Sequence, residues 1–305
     1  MVRRIAELLF APVRGLHEAA YLLALFAVFS QLLALIRDRL FAAYFGAGAV
    51  LDTYYAAFKI PDFMFVSIAS LVSIYVLIPF LTECLEHSKE KTREFIDTVF
   101  TFFSFVLIGV GLCAFVLTEM LVSLLFPGFV GGEYFDDLVM VTRIMLLQPL
   151  FLGVSNLLAS ITQIKGRFVL YAASPLLYNL GIIIGILALY PTFGIAVLGW
   201  GVVLGAILHL LLQVPFIARE GLMPRITFRL SFDRVKRVVL VSFPRTLTLA
   251  SNQIVLLVLV SFASLLSVGS ISVFQFALNL QSVPLAIIGI SYSVAAFPTL
   301  ARFFA

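Results

Sequence analysis

Residues 30–61 read SQLLALIRDRLFAAYFGAGAVLDTYYAAFKIP, and this stretch decides how the chain folds. Most of it is as apolar as a membrane span, but it carries several charged residues, among them Arg37, Asp38, Asp52 and Lys59. Placing a charge at the centre of a membrane helix costs about 2.5–3.5 kcal/mol, so such residues usually face a hydrated cavity and have a function. These four residues are therefore the first candidates for a binding site.

The depth of the two cations follows from the glycines at 46 and 48, which predict a turn between two spans. Arg37 precedes Gly46 by about 13 Å of helix, and Lys59 follows Gly48 by about 16 Å, at a rise of about 1.5 Å per residue. Pro61 then predicts a kink or break. Both cations are expected near mid-membrane. The alternative is that Arg37 and its neighbours end a shorter span at the headgroups.

Helical spacing relates the charged residues to one another. Gln31 and Asp38 are separated by seven positions, as are Asp52 and Lys59, so each pair is expected to share one helix face. The two faces are predicted to line one cavity. Because an isolated buried charge is costly, the four charged residues are expected to form a single cluster.

Composition places the chain among membrane proteins. Its 305 residues are 62% hydrophobic and 12% charged, with a mean hydropathy of +1.14, whereas a soluble domain is about 25% charged. No cleavable signal pattern precedes the first span. The pI of about 9.1 does not indicate nucleic acid, because the basic residues fall in short loops. We predict an all-α polytopic membrane protein with no nucleic-acid partner.

Eight transmembrane helices are predicted from the apolar runs. Their approximate ranges are 19–45, 51–82, 95–117, 138–162, 168–190, 195–217, 238–266 and 271–300. Residues 1–18 are predicted to form an interfacial amphipathic segment. All Lys and Arg residues of the predicted loops fall on one side of this arrangement, although Arg143 lies early in span four on the other. The positive-inside rule makes the basic side, with the N-terminus, cytoplasmic.

No arrangement of residues typical of an enzyme, cofactor site or metal site is present. The histidines are far apart, the two cysteines form no motif, and there is no phosphate-binding loop or nucleophile elbow. His209 is expected to be a packed or hydrogen-bonded helix residue, and the glycines of spans five and six indicate close helix packing. Among the amides in spans, Asn252 and Asn279 lie near mid-span and are candidates to line the cavity.

Several motifs resemble the MviN/MurJ family of lipid II flippases, in the MOP flippase and exporter superfamily. They include Ile36-Arg37-Asp38, Phe45-Gly46-Ala47-Gly48, Ser174-Pro175, Tyr178-Asn179-Leu180-Gly181, and Gln281-Ser282-Val283-Pro284. The resemblance covers nearly the whole chain. It implies two six-helix lobes around a central cavity, followed by two further helices, which move an undecaprenyl-linked cell-wall precursor to the outer leaflet by alternating access.

The resemblance also implies a domain organisation. Residues 19–218 would form the N-terminal six-helix lobe, 219–237 a basic cytoplasmic loop, and 238–305 the first two helices of a second lobe in a truncated chain. The protein would then serve peptidoglycan synthesis and cell shape in the bacterial cytoplasmic membrane.

The chain departs from the family where the family places cavity arginines. It has Gln31 on the first helix, apolar residues 63–66 after Pro61, Ala69-Ser70-Leu71 in place of Ala-Glu-Gly, and Leu278-Asn279 in place of Asp-Arg. Fewer arginines weaken the expected recognition of a diphosphate.

The predicted substrate site contains seven residues: Arg37, Asp38, Asp52, Lys59, Gln31, Asn252 and Asn279. Arg37 and Lys59 would contact phosphate, the two aspartates would tune or pair with them, and the amides would bind sugar or peptide. A coupling cation or the membrane potential stays open as the energy source. The alternatives are a polysaccharide or drug exporter of the superfamily, a membrane-embedded enzyme acting on polyprenyl lipids, and a structural remnant that transports nothing.

Overall fold

The computed structural model describes residues 16–69, 71, 74–190, 194–228 and 231–285, and the regular structure of these residues is helical throughout. The predicted interfacial segment lies almost wholly outside the described residues, as does the predicted last span beyond residue 285. The all-α membrane fold predicted from the sequence is confirmed.

The helices follow in this order: α1 Leu16–Phe45, α2 Ala49–Ala57, α3 Lys59–Met64, a π-helical segment Phe65–Ala69, α4 Ile74–His87, α5 Lys89–Val116, α6 Thr118–Leu125, α7 Phe135–Met145, α8 Gln148–Ile164, α9 Phe168–Ile184, a second π-helical segment Gly185–Leu189, α10 Ala196–Leu211, α11 Val214–Glu220 and α12 Phe232–Ser264. Residues 270–285 are helical and are called α13. A short 3-10 turn covers Pro127–Phe129.

Six helical stretches in the described part of the chain are long and apolar enough to cross a membrane. They are His17–Phe45, Lys89–Val116, Phe135–Ile164, Phe168–Ala188, Ala196–Glu220 and Phe232–Ser264. The predicted second span is absent from this set because it is divided among α2, α3, the π-helical segment and α4.

The break in the second span lies where the sequence indicates it. α2 ends at Ala57 and α3 begins at Lys59, two residues before Pro61. Proline has no backbone N–H, so the carbonyl of Ala57 cannot receive its usual helical hydrogen bond, and the helix is interrupted. The preceding turn also follows the prediction, because Gly46 has a φ of +63°, a left-handed conformation that glycine adopts readily.

Close packing of α9 against α10 forms one wall of the bundle. A Cβ atom on Gly181 would lie 2.3 Å from the Cα of Gly205, so the two helix backbones touch there. In membranes such contacts allow van der Waals packing that larger residues prevent. The prediction of close packing from the glycines is therefore confirmed, and α9 also packs along α1.

The connection between α11 and α12 lies along the basic end of α5. Asp97 accepts a hydrogen bond from the backbone N–H of Arg225 at 2.8 Å, and Thr101 accepts one from the backbone N–H of Thr227 at 2.9 Å. Farther along, the hydroxyl of Ser242 donates to the carbonyl of Leu71 at 2.8 Å. These contacts hold α12 against the rest of the bundle.

Candidate functional site

The site is built around an ion pair between neighbouring residues of α1. Arg37 donates from Nη2 to Oδ1 of Asp38 at 2.8 Å and from Nε to the same oxygen at 3.0 Å. Only 17% of the Arg37 side chain and 10% of the Asp38 side chain are exposed. The two opposite charges therefore neutralise each other in a largely buried position, as a charge in a span requires.

Amides from two other helices hold this ion pair. Arg37 donates from Nη1 to Oδ1 of Asn179 on α9 at 3.0 Å. Asn279 on α13 donates from Nδ2 to Oδ2 of Asp38 at 2.8 Å. The pair thus links α1 to the bundle on one side and to α13 on the other.

Lys59 joins the same hydrogen-bond network through α13. Its Nζ donates to Oε1 of Gln275 at 3.1 Å, and Nε2 of Gln275 donates to Oδ1 of Asn279 at 2.9 Å. Side-chain hydrogen bonds therefore run without interruption from Arg37 to Lys59. The two cations belong to one network, as predicted. Asp38 and the amides of Gln275 and Asn279 lie between them.

A cavity of about 310 Å³ lies beside this network. Its lining combines cations and a carboxylate with aromatic residues and amides: Arg37, Tyr54, Tyr55, Phe58, Lys59, Asp62, Gln148, Leu152, Tyr178, Gln275 and Asn279. These residues lie on six helices, α1, α2, α3, α8, α9 and α13, except Phe58, which lies between α2 and α3. A charged, hydrogen-bonding cavity lined by helices of a membrane protein is suited to a polar ligand.

Asp52 lies apart from the other three charges. It accepts hydrogen bonds from the backbone N–H groups of Gly269 and Ser272 at 2.6 and 2.7 Å, and from the Ser272 hydroxyl at 2.5 Å. A carboxylate in this position caps the N-terminus of α13 and complements its dipole. Among the described residues no ion pair joins Asp52 to Lys59.

The predicted cluster of four charges is therefore wrong in one member. Asp52 and Lys59 both contact α13, through Ser272 and Gln275, but seven residues of helix separate them by about 10 Å along the axis, so they bind different parts of it. Arg37, Asp38 and Lys59 form the cluster, and Asp52 instead joins the first turn of α2 to the turn before α13.

The two remaining predicted residues lie outside the cavity lining. Gln31 is half-buried on α1 and donates from Nε2 to the hydroxyl of Ser282 on α13 at 3.0 Å, so it adds a second contact between these helices. Asn252 is exposed on α12 and does not line the cavity.

Of the eleven residues that line the cavity, the predicted site contained three and missed eight, among them the polar residues Asp62, Gln148 and Tyr178. Asp62 follows Lys59 by three positions and could have been found, since it is another charge in the same predicted span. Gln148 and Tyr178 carried no comparable signal. His209 is hydrogen-bonded as predicted, because its Nδ1 lies 2.7 Å from the hydroxyl of Ser155.

Comparison with protein families and curated sequences gives consistent matches. The family model described as "Lipid II flippase MurJ" matches residues 41–305. A "Probable lipid II flippase MurJ" from Buchnera aphidicola subsp. Acyrthosiphon pisum is 30% identical over 285 residues, which cover 92% of this chain and 55% of the relative. A "Lipid II flippase MurJ" from Burkholderia cenocepacia is 26% identical over 296 residues, covering 94% and 57%. The chain spans about half the length of the curated relatives it matches.

Solved structures show the same fold. One described as "Lipid II flippase MurJ, inward closed conformation" superposes with a TM-score of 0.77 at 24% identity, over 92% of this chain and 59% of that one. Another, described as a MOP superfamily transporter from Pyrococcus furiosus whose binding pocket has reverse polarity, has a TM-score of 0.64 at 15% identity, over 94% and 64%. The chain thus has the same fold as these two structures.

Proposed function

Because the chain belongs to the MurJ lipid II flippase family of the MOP superfamily, whose members are transporters and not enzymes, we propose that it takes part in flipping a lipid-linked cell-wall precursor. The cargo is a polyprenyl-diphosphate lipid similar to lipid II. Transport proceeds by alternating access, in which the cavity opens first to one side of the membrane and then to the other.

The observation that carries this proposal is the pair of cations on the cavity wall. Arg37 and Lys59 both line the cavity and are connected through Asp38, Asn279 and Gln275. Guanidinium and ammonium groups form strong charge-assisted hydrogen bonds with phosphate oxygens. Two such groups on one cavity wall suit the two phosphates of a diphosphate.

Both cations donate a hydrogen bond to a neutral amide, and a ligand oxygen can replace that amide as the acceptor. Nη1 of Arg37 donates to the amide oxygen of Asn179, and Nζ of Lys59 donates to the amide oxygen of Gln275. A phosphate oxygen is a stronger acceptor than either amide, so the exchange favours the bound anion. Asp38 stays paired with Arg37 and keeps the guanidinium oriented.

The domain organisation and topology of the chain are part of the proposal. The interfacial segment is 1–18, the first lobe 19–218, the basic loop 219–237, and the start of the second lobe 238–305. The basic side and the N-terminus face the cytoplasm of a bacterium, since Lys and Arg are retained on that side of the inner membrane. The precursor would therefore enter from the side where it is made and serve peptidoglycan synthesis outside.

Export of a different cargo is the second candidate function. Gln31 and Asn279 stand where the family usually carries arginine, and the cavity lining contains Asp62. A less basic cavity suits a sugar polymer or a drug better than a diphosphate. For the Pyrococcus furiosus transporter, the reverse polarity of the binding pocket is described as suggesting a different function.

A binding measurement separates the two functions. Purified protein in lipid nanodiscs is titrated with a polyprenyl-diphosphate lipid and with the matching polyprenyl alcohol. We expect the diphosphate lipid alone to bind, and Lys59→Met to weaken binding roughly ten- to a hundred-fold, because a charge-assisted contact is worth about 1.5–3 kcal/mol. The exposed Lys236 of α12 supplies the control variant Lys236→Met, which should bind as the unmodified protein does. Equal binding of the alcohol would contradict recognition of the diphosphate.

A further inference from the structure

The carboxylates near the cavity differ sharply in how well they are hydrogen-bonded. Asp38 accepts two hydrogen bonds from Arg37 and one from Asn279. Asp52 accepts from two backbone N–H groups and one hydroxyl. Asp62 accepts one long hydrogen bond from the described residues, from Nε2 of Gln148 at 3.5 Å. Since hydrogen bonds to a carboxylate stabilise its ionised form, that form is least stabilised in Asp62.

The charged surroundings of Asp62 are sparse. Lys59 lies one turn earlier on α3, and in the described part of the chain no cation lies within the 4.0 Å of an ion pair with Asp62. Arg37 of α1 also lines the cavity but is paired with Asp38.

The other titratable groups that face the cavity are the phenols of Tyr54 and Tyr55 on α2 and Tyr178 on α9. The helices α5, α7 and α12 also contact α3, but none of their charged side chains lines the cavity. Lys59 is therefore the cation that most directly balances Asp62 when the cavity holds no anion.

Gln148 can serve either protonation state of Asp62. It is buried, with 3% of its surface exposed, and its Oε1 has no hydrogen-bond partner among the described residues. The amide donates from Nε2 to an ionised carboxylate, and after rotation by half a turn it accepts through Oε1 from a protonated one. A buried acceptor without a donor is costly, so a protonated Asp62 would satisfy it.

We propose that Asp62 is a proton-binding site of the cavity and takes up a proton when an anion binds at Arg37 and Lys59. The inference rests on the proposed function for its ligand, a diphosphate. An anion beside Lys59 places negative charge near Asp62 and withdraws the cation that stabilised its ionised form. A proton from water then forms an O–H bond on Asp62, and it leaves again when the anion leaves. Anion movement and proton movement are thereby coupled.

The proton site is tested first without ligand. Infrared spectroscopy of the protein in nanodiscs records the carbonyl band of protonated carboxyl groups over a pH series. We expect a band that changes with pH, is lost in Asp62→Asn, and is retained in Glu119→Gln, an exposed carboxylate on α6. A titrating band that persists unchanged in Asp62→Asn would overturn the assignment.

The coupling is tested by adding a polyprenyl-diphosphate lipid. Its affinity in the unmodified protein should rise as the pH falls, by at most about tenfold per pH unit for one proton, and Asp62→Asn should remove this dependence. The same pH dependence in Asp62→Asn would overturn the coupling.

A measurement on a variant without added lipid tests this inference separately from the proposed function. Failure of the unmodified protein to bind the lipid at any pH would contradict the proposed function. Lys59→Met then decides the coupling alone: it should move the Asp62 titration to higher pH, because a stabilising cation is lost. An unmoved titration would contradict the interaction on which the coupling depends.

Discussion

The ion pair of Arg37 with Asp38 is the residue-scale feature on which the cavity depends. Both charges lie in a span and are largely buried, so each requires the other. Asn179 and Asn279 complete the hydrogen bonds of the pair and fix its orientation. The guanidinium is thus held toward the cavity before any ligand arrives.

Asp38→Asn should destabilise the protein more than the double change Arg37→Gln with Asp38→Asn. The single change leaves a buried guanidinium without its counter-charge, and breaking a buried pair costs roughly 3–5 kcal/mol, whereas removing both charges avoids that cost. Thermal unfolding in detergent measures the order of stability. If the double variant were less stable than Asp38→Asn alone, the unpaired charge of Arg37 would not be what destabilises the single variant.

How far the site could be predicted differs from residue to residue. Arg37, Asp38 and Lys59 were identifiable because charge in a span is costly and the glycine turn sets their depth. The partner of Asp52 was not, since it depends on where a turn more than 200 positions away, at Gly269, comes to lie. Local spacing contains no information about such a contact.

At the scale of elements, contacts at two levels tie α13 to the first helices. Asp52 on α2 caps α13 at its start, while Asn279 and Gln275 connect its middle to Asp38 and Lys59. Asp52 and Lys59 lie seven residues apart, so α2 and α3 present the same side of the second span to two successive parts of α13. The sequence predicted the break near Pro61 and the shared face of Asp52 and Lys59, but not that α13 would be the partner of both.

Asp52→Asn should loosen the start of α13. An amide in place of the carboxylate loses the charge in three hydrogen bonds to Gly269 and Ser272, each charged bond being worth about 1.5–3 kcal/mol. Hydrogen exchange followed by mass spectrometry should show faster exchange in residues 269–273. Unchanged exchange there, in a variant that is otherwise folded, would mean that the cap is not needed.

The α9–α10 contact is the element-scale feature most sensitive to a single methyl group. Gly181→Ala would place a Cβ 2.3 Å from the backbone of Gly205, so the helices must separate and the melting temperature should fall. The control is Gly109→Ala on α5, where nothing lies within 4 Å of the added Cβ. That change should be neutral or stabilising by up to ~1 kcal/mol. Equal effects of the two changes would contradict close packing at Gly181.

At the scale of the whole molecule, charge is divided between the two ends of the bundle. The loop at 131–134 carries Glu133 and no cation, while the connection from α11 to α12 is rich in arginine. This division predicted the orientation of the chain from sequence alone, because translocation retains basic loops on the cytoplasmic side.

Cysteine labelling tests that orientation in intact cells. In a background lacking Cys84 and Cys113, cysteines replace Glu133 and Met223, which are both exposed. A membrane-impermeant maleimide should label position 133 and not position 223 until the cells are opened. Labelling of both positions in intact cells, or of 223 alone, would contradict the proposed topology.

Photo-crosslinking of the precursor tests the central claim most directly, because it asks where a diphosphate lipid binds. A photoreactive amino acid is placed at Leu152 in the cavity lining and, separately, at Trp200, which is exposed on α10. We predict that a polyprenyl-diphosphate lipid crosslinks at position 152 and not at 200, and that adding Lys59→Met suppresses the crosslink. Equal crosslinking at both positions, insensitive to Lys59→Met, would contradict a diphosphate site in this cavity.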